Sequence, residues 1–355
     1  MGPFSKIARA TNPRVRVSSL PRVWVFFTTE VCRNSHTLAN QTLVSPATTA
    51  PMLTYPEDGH PRPRLAVMMR VRVERALSPI LGILLFLQSG IVVTGGAVRL
   101  TGSGLGCPTW PQCTGSSYTP VPNQAQGQVH AWIEFGNRLL TFALIIASFA
   151  ALFSVLYLKR RDIRALAIGQ LLGILAQIPL GGVTVLTHLN PIPVAGHFLL
   201  SIILIAAGTS LFARRKVTQE SEIIPTSMMN FLLARVHLIL TAIVVIVGTV
   251  VTGSGPHAGD ISAPRFHIKI QTIAWIHAYL VIALMILTVV LFLSSRNQPI
   301  LNKRVLIFFA IAIGQGAIGF VQFYQGLPEL LVGAHLIGVT LVWIGAWRIH
   351  LSTLR

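Results

Sequence analysis

The chain has 355 residues, of which 52% are hydrophobic and 11% charged, less than half the charged share of an ordinary soluble domain, about 25%. That composition excludes a conventional water-soluble enzyme and points to an integral membrane protein. A net charge of +18 would suggest nucleic acid in a soluble chain, but here the basic residues fall between long apolar runs, and no nucleic-acid partner is expected.

Residues 1–75 come first, basic, acid-poor and rich in Ser, Thr and Pro. Such a segment buries too little apolar surface to offset its ordering entropy, so a disordered extension is expected. Its composition is like that of an organellar transit peptide. Met68-Met69-Arg70, however, stands before the first apolar run as a bacterial start would, so the preceding residues read as an over-extended start or a dispensable tail. Cys32, within them, has no partner in the sequence.

Apolar runs follow at residues 77–98, 129–158, 165–187, 192–213, 228–252, 270–293, 305–323 and 327–349. Each is close to the roughly 20 helical residues that cross a hydrocarbon core of about 30 Å. The loop after the second run holds Lys159, Arg160 and Arg161, that after the fourth Arg214, Arg215 and Lys216, and that after the sixth Arg296, Lys303 and Arg304. The positive-inside rule places these loops and both termini in the cytoplasm. The expected location is the bacterial cytoplasmic membrane, as a multi-pass protein in the lipid bilayer. The first outer loop holds Cys107 and Cys113 on the oxidising side, where either a disulfide or two free thiols fits.

The apolar part is written twice. Thr101-Gly102-Ser103-Gly104 recurs as Thr252-Gly253-Ser254-Gly255 at an offset of 151, Gly169-Gln170 with Gln177 recurs as Gly314-Gln315 with Gln322 at 145, and His197 recurs as His335 at 138. Landmarks in one order with drifting offsets mean duplicated helices joined by unequal loops. The predicted fold is an all-α integral membrane protein whose eight transmembrane helices form two pseudo-symmetric four-helix bundles. These cover 76–215 and 226–350, with a linker at 216–225 and a tail at 351–355.

Ionisable groups at membrane depth cost about 2.5–3.5 kcal/mol each on insertion scales, so they face the bundle interior and serve a site. Aligning His197 with His335, and Asn137 with His277 at an offset of 140, gives each bundle one candidate ligand on its second helix and one on its fourth. Two imidazoles converging inside an apolar bundle suit axial ligation of a haem. Zinc would need more ligands than the second copy supplies at that depth. The candidate metal ligands are therefore His197, His277 and His335. The plainer alternative is that each is a hydrogen-bonding helix contact. His237 and His350 are expected to be interfacial, and His188, His257 and His267 to be solvated loop residues.

The first copy departs from the second at Asn137. Glu134 precedes it by one turn and His130 by about 10 Å along the helix axis, and all three share a face. A carboxylate and an amide opposite His197 would leave one face of the iron open. The alternative for Glu134 is an ion pair with Arg138 at i + 4.

At these residues the chain resembles the haem A synthase family of respiratory membranes. The carriers are Thr101-Gly102-Ser103-Gly104 leading to Cys107-Pro108-Thr109-Trp110-Pro111-Gln112-Cys113, Glu134-Phe135-Gly136-Asn137-Arg138, Gly181-Gly182-Val183-Thr184 with Asn190-Pro191 and His197, Thr252-Gly253-Ser254-Gly255-Pro256-His257, His277, and Gly326-Leu327-Pro328-Glu329 before His335. The resemblance implies a haem B cofactor between His277 and His335. It implies haem O as substrate in the first bundle, bound by His197 with Asn137, His130 and Arg138 around it and the catalytic Glu134 at its reacting edge. Family members oxidise the C8 methyl of haem O to a formyl group, making haem A for terminal oxidases. Many have His where this chain has Asn137; the Glu-Phe-Gly-Asn-Arg form is similar to an actinobacterial variant. A homo-oligomer and an association with the farnesylating haem O synthase are left open. The rival functions are a dihaem b-type electron-transfer cytochrome without haem-modifying activity and a repeat-built transporter.

Overall fold

In a computed structural model the described residues are 64–216 and 226–354. Cys32, residues 1–63 of the basic extension and nearly all of the 216–225 linker lie outside them. The described chain forms eight helices, α1 (Arg64–Leu100), α2 (Gln128–Tyr157), α3 (Arg161–Leu186), α4 (Pro191–Ala213), α5 (Met228–Ser254), α6 (Ile270–Ser294), α7 (Pro299–Tyr324) and α8 (Glu329–Ser352). All eight are long and apolar enough to cross a membrane.

Local chemistry accounts for several ends. Asn190 caps α4, its side chain accepting from the Ile192 amide at 3.0 Å, with Pro191 in the first turn; Ser227 caps α5 through the Asn230 amide at 3.2 Å. Both side-chain oxygens satisfy amides that lack a partner in the first helical turn. At the end of α1, Gly102 turns the chain with φ 67°, a conformation other residues rarely adopt.

One boundary differs from the expectation. Residues 64–75 are helical and continue α1 rather than belonging to a disordered extension. This stretch has no Gly or Pro and is made largely of Leu, Ala, Met, Arg and Glu, all good helix formers. Nucleation is already supplied by the span that follows.

The helices close two four-membered rings. α1 packs on α2 and α4 while α3 joins α2 to α4; α5 packs on α6 and α8 while α7 joins α6 to α8. The rings meet along α1, α4, α5 and α8. At that seam Trp343 donates from Nε1 to the Ile202 carbonyl at 2.8 Å, and Trp347 to the Ser210 hydroxyl at 2.7 Å.

Each bundle has its largest apolar core toward one end. The first core consists of Leu77, Leu81 and Leu84 of α1, Leu144, Ala147, Ala151 and Val155 of α2, Ile163, Ala167 and Ile174 of α3, and Leu204 and Leu211 of α4. The second is built from Ala234 and Val244 of α5, Leu284 and Leu291 of α6, Leu301, Val305, Phe308 and Ala312 of α7, and Val342, Ala346 and Ile349 of α8. Both cores occupy the end near the α4–α5 linker. Every helix leaves its core before reaching the opposite end, where the candidate ligands lie.

Candidate functional site

The four candidate ligand positions sit just beyond the apolar cores. Asn137 precedes Leu144 on α2 and His197 precedes Leu204 on α4; His277 precedes Leu284 on α6 and His335 precedes Val342 on α8. Each faces a glycine of a neighbouring helix. A Cβ on Gly181 would stand 3.2 Å from Cε1 of His197, and one on Gly319 would stand 3.1 Å from Cε1 of His335. The two glycines are separated by the same 138 residues as the two histidines. Across the other pair, a Cβ on Gly248 would lie 3.3 Å from Cε1 of His277, and one on Gly95 would lie 3.2 Å from Nδ2 of Asn137.

The Nδ1 atoms of His197, His277 and His335 are buried without a hydrogen-bond partner. His237 and His350 share this unmet Nδ1, so what sets His197, His277 and His335 apart is that each ring packs on a glycine of a neighbouring helix. The paired imidazoles beyond a packed core, with glycines making room, fit a flat macrocycle held by axial nitrogens. Among the described residues no group of three or more His, Cys, Asp or Glu side chains gathers as a zinc site would require.

The two bundles differ at Asn137. There an apolar cleft of about 560 Å³ opens between α1 and α2, lined by Thr94, Ala97, Trp132, Ile133, Gly136, Asn137, Leu139, Leu140 and Ala143. It lies within the size range of small-molecule pockets, about 300–1,000 Å³. Gly136 leaves open space; at the matching place in the second bundle stands Ile276.

Cys107 and Cys113 form a disulfide, both fully buried. Their loop is clamped onto the first bundle by the ion pair that was the alternative for Glu134. Arg138 Nη2 lies 2.6 Å from Glu134 Oε1, and Glu134 Oε2 accepts from the Cys107 amide at 2.7 Å. Arg138 also donates to the carbonyls of Cys107 at 3.0 Å, Thr109 at 3.2 Å and Gln112 at 3.2 Å. Trp110 of the loop packs over Gly182 of α3, where a Cβ would collide with its ring. The sequence shows the i + 4 spacing of the pair but not the loop carbonyls that complete it, since these come from residues some 26 to 31 positions away.

His130 is engaged elsewhere, its Nδ1 2.9 Å from the Ser103 hydroxyl. This joins the Thr-Gly-Ser-Gly turn to α2 beside the clamp. Two of the remaining histidines differ from expectation. His237 is not interfacial but fully buried, 3.1 Å from the Thr288 hydroxyl and edge-on to Phe308. His257 is not a solvated loop residue, because its Nε2 lies 2.8 Å from the Leu327 carbonyl and its own carbonyl accepts from Arg99 at 3.0 Å. It ties together loops that converge above the bundles.

The repeat register is also corrected. Gln177 donates to the His197 carbonyl at 3.1 Å and Gln315 to the His335 carbonyl at 2.7 Å. Gln177 therefore matches Gln315, at the same 138 offset as the histidines, and not Gln322. Gln170 instead bonds Gln88 and the Leu204 carbonyl inside the first core.

This geometry defines a class: a duplicated membrane four-helix bundle with paired imidazole positions in one copy and an altered pair beside a cleft in the other. Comparison with known proteins agrees. The chain belongs to the cytochrome oxidase assembly protein family, COX15-CtaA, whose model matches residues 79–259. Among its relatives, the Heme A synthase of Geobacillus kaustophilus is 35% identical over 102 residues, 28% of this chain and 30% of the relative. That of Shewanella oneidensis is 31% identical over 180 residues, 46% and 51% respectively. That of Azorhizobium caulinodans is 26% identical over 317 residues, 74% of this chain and 89% of the relative. The match to the Geobacillus relative thus spans less than a third of that protein's length.

Proposed function

We propose that this protein is a haem A synthase, an oxidoreductase that converts the C8 methyl of haem O to a formyl group. The observation that carries the proposal is the repeat-related placement of His197 on Gly181 and His335 on Gly319, joined to a difference at Asn137 and His277. The second bundle is assigned a resident haem B, held by His277 and His335. The first is assigned the haem O substrate, with His197 as its ligand and Asn137 opposite. The cleft beside Asn137, with Gly136 in its lining where the second copy has Ile276, suits a bundle that must admit and release a bulky apolar molecule.

When bound, the haem B would relay electrons withdrawn from the methyl carbon, one at a time, to an acceptor outside the chain. The chain's own residues do the rest. His197 fixes the substrate's height in the bundle, and the packed core below it sets a floor. Glu134 contributes a fixed negative charge at the reacting edge, able to stabilise positive charge that develops there or to take up a proton. Arg138 and the Cys107 amide hold that carboxylate in place, while the disulfide loop covers the bundle end and limits water. Arg138 and His130 border the substrate through this loop. Both termini are assigned to the cytoplasm, in the bacterial cytoplasmic membrane, with the haem O synthase as the natural supplier of substrate.

Expression with haem O available, followed by extraction and identification of pigments, tests the proposal. Formyl haem should accumulate, and His277→Ala or His335→Ala should abolish it together with the resident pigment. Glu134→Gln should stall turnover at an early intermediate with haem content near normal; full activity in that variant refutes its role. Bound haem without any formyl product would instead identify a relay cytochrome, and a colourless protein would exclude both.

A further inference from the structure

We infer that Gln177 and Gln315 are a duplicated pair of positioning residues, each setting the imidazole on the helix beside it through that residue's backbone. This rests on the assignment of His197 and His335 as haem ligands. Three observations converge on the pair. Each glutamine donates its side-chain amide to the carbonyl of the ligand histidine itself, at 3.1 Å for Gln177 to His197 and 2.7 Å for Gln315 to His335. Each also stands four residues before the glycine on which the imidazole ring packs, Gly181 or Gly319. Residues four apart share a helix face, so one face of α3, and again of α7, supplies both a donor to the histidine backbone and a gap for its ring. The helix position and the ring orientation are thereby fixed by the same two turns.

The third observation is what the bond leaves over. Oε1 of both glutamines is buried with no partner, as is Nδ1 of both histidines. A buried amide normally has its acceptor met, because leaving it unmet costs as much as a hydrogen bond contributes. Gln322 on α7 has the same unmet Oε1, so what sets Gln177 and Gln315 apart is the bond each donates to a histidine carbonyl, which Gln322 lacks.

The copies differ in a way that matches their assigned roles. In the second bundle Gln315 lies directly against the α8 backbone, where a Cβ on Gly338 would overlap its Oε1. The first bundle has Leu200 at that place. There Gln177 shares the His197 carbonyl with the Ser201 hydroxyl, at 3.1 Å from Ser201, and itself donates to that hydroxyl at 2.7 Å. Val339 occupies the Ser201 position in the second copy. The resident-cofactor half thus has a single close-fitting prop, and the substrate half a shared and adaptable one.

The test uses purified full-length protein carrying its haem. Gln315→Leu should change the low-spin EPR signature of the resident haem and speed its transfer to an apo-globin acceptor by about 3- to 20-fold, the range set by single interhelical hydrogen bonds in membrane proteins. Gln322→Leu, two turns along the same helix, should change neither. Gln177→Leu should leave the resident signature as it is and weaken binding of added haem O by a similar factor. An unaltered spectrum and release rate in Gln315→Leu, or an equal change from Gln322→Leu, overturns the inference. Should Gln315→Leu fail to accumulate, undiminished haem O binding by Gln177→Leu overturns it. A wild-type protein that holds no haem defeats the ligand assignment itself, an outcome distinct from haem-loaded protein indifferent to the glutamines.

Discussion

The contact between Gly319 and His335 offers the sharpest quantitative test of the second site. A Cβ at Gly319 would lie 3.1 Å from Cε1 and 3.6 Å from Nδ1 of the imidazole, inside the roughly 3.5–4.0 Å at which carbon atoms pack. Alanine there requires the ring to retreat by about half an ångström, and leucine adds three more carbons where the ring now stands. Overpacking of this kind costs about 1–3 kcal/mol, which corresponds to about 5- to 150-fold weaker haem retention. Gly316, on the same helix, has nothing within 4 Å of its would-be Cβ, and Gly316→Ala should be neutral or stabilise α7 by up to about 1 kcal/mol. The assay is haem per mole of purified protein, read with the low-spin EPR signal. Gly319→Leu is expected to lose most of its haem while Gly316→Ala keeps it. Full retention with an unchanged signal in Gly319→Leu would refute the placement of His335 as a ligand.

Three further outcomes are expected. Arg138→Ala leaves the buried Glu134 carboxylate without its cation, a loss of about 3–5 kcal/mol for a broken buried pair; the 107–113 loop should loosen, read as faster alkylation of Cys107 and Cys113 under mild reductant, and an unchanged rate would show that the clamp does not hold the loop. Trp343→Phe removes the bond to the Ile202 carbonyl at the seam between the bundles, and should lower thermal stability in detergent by about 0.6–1.7 kcal/mol, checked by scanning fluorimetry. His237→Leu should leave haem content intact, because His237 lies eleven residues from Gly248, about 16 Å along α5; loss of pigment in that variant would make His237 part of the site.

Most of the helices were legible from apolar run length alone, because in lipid every backbone group must be satisfied within the segment and few alternatives to a helix exist. The start of α1 was missed for the complementary reason. Residues 64–75 carry Arg70, Arg72 and Arg75, so an apolar-run criterion stops at the membrane edge while the helix does not. The repeat relation of His197 and His335 was readable from their shared offset, but the glutamines were assigned one repeat phase away, seven residues or about two turns. A shift of two turns returns nearly the same helix face, and each copy has two glutamines seven residues apart, with the pairs Gly169-Gln170 and Gly314-Gln315 aligning only in the false register and so favouring it. Only the bonds of Gln177 and Gln315 to histidine carbonyls separate them. The fate of Glu134 was half legible: its spacing from Arg138 suggested the pair, while the carbonyls of a disulfide loop distant in sequence could not be foreseen.

The asymmetry at Asn137 can be examined by reversing it. His277 sits against Gly248 as Asn137 sits against Gly95, with would-be Cβ distances of 3.3 and 3.2 Å, so the first bundle already has backbone space where an imidazole would go. Asn137→His should therefore be accommodated without loss of fold and should place a second imidazole opposite His197. A porphyrin iron with two axial nitrogens is held more tightly than one with a single nitrogen and an amide. The variant is expected to carry more haem through purification than the wild type, with a new low-spin signal besides that of the resident haem, and added haem O should dissociate more slowly. The resident signal should not change, because Asn137 on α2 touches none of the helices that carry His277, Gln315 and His335. If Asn137→His binds no additional haem while its α-helical content and resident haem are normal, then α2 and α4 do not present facing positions to one macrocycle, and the division of labour between the bundles must lie elsewhere than in the ligand set.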